Sequence, residues 1–374
     1  MKKKLNNPFI LSGYYGSEYF CDRETEVQQI HDNITNERNL VIYSWRRLGK
    51  TALIHRYLSE FDSNKKNDSL YVDLLATRNI EEAIQQIAEA VYEKYGNSKS
   101  GLNQALFKLL GSLGIQIGID SMSGLPSLNF QYQPKRNLLK SLKDIGEFLV
   151  QKNENIIIAI DEFQQITSYE NKNAEAIFRN WVQSFPQIRF IFSGSHRNLM
   201  SAMFVEKNRP FFRSAQLLQL NPIELSKYQE FITKHFTKAK KIINPEQIDY
   251  IYDWSRKQTY TIQLICNKLY GQTSKVTQEE IQQAIHDIIK QEENVYANYT
   301  KLLSNMQWKL LTAIAKEEIV FRPTSKDFIA QYGLGATSSV STALQSLIKN
   351  EIIIKDDDGY KIHDVLLSRW VQQL

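Results

Sequence analysis

Residues 40–54 read LVIYSWRRLGKTALI. An apolar run meets a small, basic loop, then Gly-Lys-Thr, then an apolar stretch with helical spacing. This order fixes the local fold. A strand must end where the loop starts and a helix must begin at its lysine, because successive loop N–H groups and the helix N-terminus then point at one anion. Gly49 lets the backbone approach phosphates, Lys50 brings a point charge to the β- and γ-phosphates, and Thr51 offers its hydroxyl to Mg²⁺. The pattern G-x-x-x-x-G-K-[ST] asks for glycine at its first position, where Ser44 stands. Serine is small and its hydroxyl can cap a local N–H, so the exchange is expected to cost little. The nucleotide-contacting stretch is therefore Ser44, Trp45, Arg46, Arg47, Leu48, Gly49, Lys50, Thr51 and Ala52.

The rest of the chain supplies a sheet for that loop. Four short apolar runs, at 39–43, 70–75, 155–160 and 188–193, are rich in Ile, Val, Phe or Tyr and read as buried strands. Helical patterns fill 50–60, 80–95 and 137–150. Strands alternating with helices predict a parallel α/β sheet. Residues 111–133 break the rhythm with Gly, Ser and Pro, and predict an inserted β-hairpin or loop. After about residue 220 the strands stop. Residues 222–292 read as helices, with Pro222 and Pro245 where helices should begin. From about 298 three helices and two strands around an Asp-Asp-Gly turn predict a winged helix. The expected domains are a core at 1–220, a helical lid at 221–295 and a winged helix at 296–374.

The second half of the site is NIIIAIDEF, residues 155–163. An apolar strand ends there in two carboxylates. Asp161 is placed to hold Mg²⁺, directly or through water, and Glu162 to polarise the attacking water. Paired acids also occur as solvated groups at strand ends; the phosphate loop favours the chemical reading. The strand IRFIFSGSHRN ends in Ser193, Gly194 and Ser195. Ser193, the last strand residue, could touch a γ-phosphate, or the stretch could be only a polar turn. Arg213 is a candidate to reach a γ-phosphate in its own site or a neighbour's, although a surface arginine is the commoner fate. No Asn-Lys-x-Asp follows a strand to read guanine, so ATP is the expected nucleotide.

Composition excludes several classes. Of 374 residues, 42% are apolar and 23% charged, which is a soluble globular composition. The net charge of +5 permits contact with polyanions without arguing for it. Cys21 and Cys266 stand in no metal spacing, which fits a reducing compartment. The N-terminal MKKK imitates a signal peptide, but its apolar part is short and broken by Asn and Pro. No run approaches the roughly 20 apolar residues of a membrane span. A cytoplasmic protein is expected.

Together, YFCDRETEV (19–27), SWRRLGKTALI (44–54), IIIAIDEFQQI (156–166), FIFSGSHRNLM (190–200) and RPFFRSAQLLQLNPIELSKYQEF (209–231) resemble the archaeal-type AAA+ ATPases. These are related to the signal-transducing NTPases with numerous domains and are found also in bacteria. The resemblance covers nearly the whole chain. It implies an AAA+-like P-loop NTPase core with a helical lid and a C-terminal winged helix. It also implies an F-x-x-R-E-x-E segment near the adenine pocket, here Phe20, Arg23, Glu24 and Glu26. The family's lid often carries a Gly-x-Pro stretch beside the base. The matching region, KQTYTIQLICNKLY (257–270), has neither, leaving Tyr260 as a residue that could stack on a base. His363 and Asp364, near the terminus, read as structural.

The expected function is hydrolysis of Mg·ATP coupled to a switch of lid and winged helix. The alternatives are a nucleotide-dependent scaffold with negligible turnover, and a DNA-binding regulator. A winged helix can read DNA through its third helix. Here SSVSTALQSLIKN offers one basic residue, Lys349, in a nearly neutral module, so a protein-contact or lid-locking role suits it equally well.

Overall fold

The computed structural model describes residues 5–96, 104–119, 126–130 and 138–374, with backbone alone at 116–119 and 126–130. The chain divides into two compact units, Ser12–Asn221 and a second made of Pro222–Leu374 with residues 5–11.

The first unit runs α1 (Glu24–Thr35), β1 (Leu40–Tyr43), α2 (Lys50–Phe61), β2 (Asn67–Asp73), α3 (Ile80–Tyr95) and α4 (Gln104–Ser112). It continues with β3 (Ile115–Ile119), β4 (Pro126–Phe130), α5 (Leu138–Leu149), β5 (Asn155–Asp161), α6 (Ala174–Ser184), β6 (Ile188–Gly194), α7 (Arg197–Val205) and β7 (Gln216–Gln219). Five strands form one sheet in the order β2-β5-β6-β1-β7. All four pairings are parallel. Two differences from the sequence reading stand out. β2 starts at Asn67 rather than at residue 70, because its polar first residues still pair with Asn155–Ile157. The edge strand β7 was not expected at all; its burial is slight, so its composition lacks the apolar run that marks the other strands.

Alternation along the strands divides the core in two. Leu40, Ile42, Ile157, Ala159 and Ile191 face α1 and α2. Val41, Ile156, Ile158, Ile160, Phe190 and Phe192 face the helices α3, α5 and α6. β5 is buried on both faces after its first residue, which explains its unbroken run of isoleucine and alanine. Each fully buried isoleucine there contributes about 1.5–3 kcal/mol of transfer free energy. Within the segment expected to be an insertion, β3 and β4 pair antiparallel. Residues 120–125 and 131–133 of that segment lie outside the described residues.

The second unit holds α8 (Leu225–Lys238), α9 (Pro245–Trp254), α10 (Thr259–Gln272) and α11 (Gln278–Ala297). The winged helix follows as α12 (Tyr299–Leu302), α13 (Asn305–Glu317), α14 (Lys326–Tyr332), α15 (Thr337–Lys349), β8 (Ile353–Asp356), β9 (Gly359–Ile362) and α16 (Val365–Gln372). Pro245 opens α9 at N1, behind an Asn244 capping box. Pro222 does not open a helix: α8 begins at Leu225, after Glu224 as cap. Two arginines tie the end of α9 and the residues just after it to the winged helix. Arg256 donates to the Ile362 carbonyl at 3.2 Å and to Ser368 Oγ at 2.9 Å. Glu318 pairs with Arg369, and Arg369 also donates to the Trp254 carbonyl at 3.3 Å.

Residues 5–11, expected in the core domain, belong to this second unit instead. The cause is Phe9, which is 1% exposed. Its ring packs at 5.6–6.0 Å from Phe231, His235, Phe236 and Tyr270. Asn267 Nδ2 donates to the Phe9 carbonyl at 2.7 Å. An aromatic side chain so enclosed leaves a large cavity on truncation. Phe9→Ala is expected to lower unfolding stability by about 3–5 kcal/mol in urea titrations of the full chain; a loss under about 1 kcal/mol contradicts this packing.

Candidate functional site

The site lies beyond the carboxyl ends of β1, β6 and β5, which are neighbours in the sheet although β5 and β1 are far apart in sequence. The register aligns their tips: Tyr43 lies beside Gly194, and Asp73 beside Asp161. Crevices at such strand ends are the general ligand positions of parallel α/β sheets.

The loop after β1 has the backbone that an anion cradle needs. Gly49 takes φ 87° and caps α2, whose first residues are Lys50 and Thr51. Arg47 also lies at positive φ, 69°. Ser44 is 1% exposed and donates its hydroxyl to the Trp45 carbonyl at 2.9 Å. It therefore caps a carbonyl, not the N–H expected from sequence. Leu48 is buried and anchors the loop in the α1–α2 core, while Arg46 and Arg47 are exposed and Ala52 is half-buried on α2. Trp45 is half-buried, with the Arg197 guanidinium 5.9 Å from its ring.

Side-chain parity brings the polar groups to one face. Ala159 and Asp161 alternate on the α2 side of β5, as Ile191 and Ser193 do on β6. Asp161 is 2% exposed. Its Oδ2 accepts from Thr51 Oγ1 at 2.8 Å and from the Tyr71 hydroxyl at 2.9 Å. Its Oδ1 accepts from Ser193 Oγ at 2.5 Å and from the Glu162 N–H at 2.9 Å. Lys50 Nζ stands 3.9 Å from Asp161 Oδ1 and 3.9 Å from Glu162 Oε1, close enough for Coulomb attraction to both. Burial alone would raise the Asp161 pKa. Lys50 and the donated bonds from Ser193, Thr51 and Tyr71 outweigh it, and the carboxyl is held below its ordinary value. Tyr71 is pushed up strongly, first by burial and then by Asp161, so it stays a protonated donor. Asp73 is raised, chiefly by burial. The His55 ring lies tilted against Tyr71 with centroids 4.2 Å apart, and its pKa is lowered by burial against the opposing pull of Asp161.

Glu162 leaves the strand in the left-handed region, φ 51° and ψ 39°. That conformation costs a non-glycine residue about 1 kcal/mol or more, and turns the side chain out of the strand's alternation. Its Oε2 accepts from Ser195 Oγ at 2.8 Å and from Gln164 Nε2 at 2.5 Å. Arg46 Nε donates to the same Ser195 oxygen at 3.3 Å.

The structure thus gathers Lys50, Thr51, Asp161, Glu162 and Ser193, and places Arg46 beside them. Ser193 is fully buried and turned to Asp161, whereas Ser195 is the strand-tip serine beside Glu162. Arg213 makes its contacts elsewhere. It is exposed, at φ 52°, with its guanidinium 5.2 Å from the Phe212 ring and its N–H bonded to the Phe204 carbonyl. Arg23, 3% exposed, pairs with Glu26 at 2.5 Å and donates to the Leu48 carbonyl at 3.3 Å, bracing the loop from behind. Phe20 packs under the Arg56 guanidinium, 5.1 Å from its ring. Glu24 pairs with Arg56 as well. Tyr260 lies in the first turn of α10, in the other unit. Sequence reasoning missed Tyr71 and Gln164. No sequence signal marked Tyr71: only the ladder sets it opposite Ala159, from where its hydroxyl reaches Asp161.

Thr51 and Asp161 fit a magnesium ion. Both offer hard oxygens, they already meet at 2.8 Å, and Thr51 is on the exposed side. Among the described residues, no group of three or more His, Cys, Asp or Glu could hold a metal. Mg²⁺ commonly takes one or two protein oxygens together with substrate phosphates, and needs no such group.

A family model described as an ATPase domain predominantly from Archaea matches residues 20–264. A model of a probable winged helix domain matches residues 294–373. The chain belongs to this archaeal-type ATPase family. Among solved structures, a Walker-type ATPase of Pyrococcus abyssi is similar over 98% of this chain and 99% of its own, with 19% identity and a TM-score of 0.66. The Aeropyrum pernix ORC1 protein, solved in complex with DNA, gives 11% identity and a TM-score of 0.57 over 98% of this chain and 96% of its own. The ORC2 protein of the same organism, in ADPNP-ADP complexes, gives 12% identity and 0.56 over 94% of each. At these identities the likeness shows a shared fold. No curated protein matches the sequence. Among the described residues, no helix is long and apolar enough to cross a membrane.

Ser193 and Asp161 are a buried donor–carboxylate pair. Ser193→Ala is expected to destabilise the nucleotide-free protein by about 1.5–3 kcal/mol, read from denaturant midpoints. An unchanged midpoint would show that the hydroxyl does not support the carboxylate.

Proposed function

We propose that the protein binds and hydrolyses ATP with Mg²⁺ at the loop between β1 and α2. The observation that carries this reading is the junction of Thr51, Asp161 and Lys50, with Glu162 alongside. Loop amides, the N-terminus of α2 and Lys50 would hold the triphosphate. Thr51 and Asp161 would hold the ion, whose role when bound is to offset charge on the β- and γ-phosphates.

This chain's own residues do the rest. Lys50, drawn now to two carboxylates, exchanges them for phosphate oxygens. That exchange leaves Glu162 Oε1 open to accept a proton from water aligned with the γ-phosphate. Ser193 acts through Asp161, fixing one of its oxygens while the other faces Thr51. Ser195 and Arg46 link the strand tip to the phosphate loop, and are a better-placed reporter of the γ-phosphate than Ser193 alone. Arg213 we assign no step in this unit; a role in a neighbouring molecule's site stays a proposal for which its exposure leaves room. Turnover would drive or report a change in the unit that carries the helical bundle and winged helix. A protein is the partner we assign to that winged helix, since α15 carries a single basic residue, Lys349.

Two variants test the reading. Lys50→Ala is expected to lose ATP binding in calorimetric titration. Glu162→Gln is expected to bind ATP as the wild type does while releasing phosphate at least about a hundredfold more slowly. Equal ATP affinity of Lys50→Ala and wild type would overturn the site. Tight ATP binding by the wild type without phosphate release would make the protein a nucleotide-dependent switch instead.

A further inference from the structure

Gln164 touches the carboxylate proposed to take a proton from water. It stands two residues after Glu162, in the short 3₁₀ turn Phe163–Ser168 that follows β5. Its side chain is 9% exposed. Its Nε2 donates to Glu162 Oε2 at 2.5 Å. Its other amide atom, Oε1, is buried with no hydrogen-bond partner among the described residues. A buried carbonyl left unpaired opposes folding, and such groups call for a reason other than stability.

The neighbouring strand is shaped around that amide. Gly194, at the tip of β6, is not at a positive φ and needs no glycine for its backbone. A Cβ there would stand 2.1 Å from Gln164 Oε1 and 2.5 Å from Met200 Cγ. The absent side chain is therefore the space that the amide occupies. Parity agrees: Gly194 continues the Phe190 and Phe192 face of β6, on the side where Met200 packs. The pocket holds Gln164 in one orientation, with its donor end aimed at the carboxylate.

We propose that Gln164 is a positioning residue for Glu162, and that Gly194 exists to admit it. This inference rests on Glu162 being the residue that accepts the proton from water. With Gln164 and Ser195 both on Oε2, the carboxylate is fixed in rotation and Oε1 is the oxygen left toward Lys50 and the phosphate loop. Losing one of two donors lets the carboxylate swing, and leaves the nucleotide's own contacts unchanged. The expected signature is therefore a fall in kcat with little change in KM.

Gln164→Leu is the decisive variant. Leucine has similar bulk, removes the donor, and also removes the orphan carbonyl. In the full-length protein its melting temperature is expected to equal or exceed that of the wild type, ATP affinity to stay within about threefold, and kcat to fall about tenfold or more. A second variant, Gly194→Ala, pushes the amide from its place and is expected to lower kcat in the same way. A purely structural Gln164 would show the opposite pattern, with a lower melting temperature and an unaltered kcat in the folded fraction. Wild-type kcat in Gln164→Leu, with Glu162→Gln still inactive, overturns this inference and leaves the hydrolase reading standing. Wild-type kcat in Glu162→Gln overturns the catalytic reading and this inference together.

Discussion

A single buried carboxylate organises the molecule. Asp161 sits at the end of β5, a strand buried after its first residue, where desolvation opposes its charge. It stays ionised because Lys50 supplies the opposite charge and because Thr51, Tyr71, Ser193 and the Glu162 N–H fill its four lone-pair directions. Those partners come from α2, β2, β6 and the turn after β5. No contiguous segment could provide them. The sheet order β2-β5-β6-β1 is what brings them within reach, and the charge in turn pins the strand tips to one another.

From that centre the chemistry divides along the two faces of the sheet. Groups on the α2 side, Thr51, Tyr71 and Ser193, converge on Asp161. The residue that follows, Glu162, escapes the alternation through a left-handed backbone and is met by Ser195 and Gln164 instead. Two adjacent acids thus receive separate sets of donors. One has a donor on all four lone-pair directions, Thr51 among them. The other keeps one oxygen less committed. That asymmetry is the physical basis for giving them different roles, and it comes from the backbone turn rather than from side-chain identity.

Much of this was legible in the sequence because the strongest patterns are local. The strand-loop-helix around Gly49 announces its own geometry, and the isoleucine run of β5 can only be a strand enclosed on both faces. Asp161 and Glu162 were readable as the ends of that strand. Residues whose meaning depends on a neighbour in space were not. Tyr71 is an ordinary strand tyrosine until the ladder sets it opposite Ala159. Gln164 is an ordinary polar residue until Gly194 clears its place. β7 escaped because an edge strand needs little burial, and Phe9 because nothing in MKKKLNNPF shows which unit will enclose it. Pro222 was read as a helix start by rule, whereas the helix waits for Leu225. Ser193 and Ser195 looked alike in the sequence; they differ because β6 ends at Gly194, which leaves Ser193 in the strand against Asp161 and Ser195 beyond it against Glu162.

The central claim is that Asp161 and Thr51 share an ion with the nucleotide. The most direct measurement is the dependence of ATP affinity on Mg²⁺, by calorimetry with the metal present and with it chelated, in wild type and Asp161→Asn. The account predicts that chelation weakens wild-type binding and that the variant loses most of this dependence while remaining folded. If a folded variant kept the full magnesium dependence of the wild type, the ion would have to be held by other groups, and the organisation described for this site would be wrong.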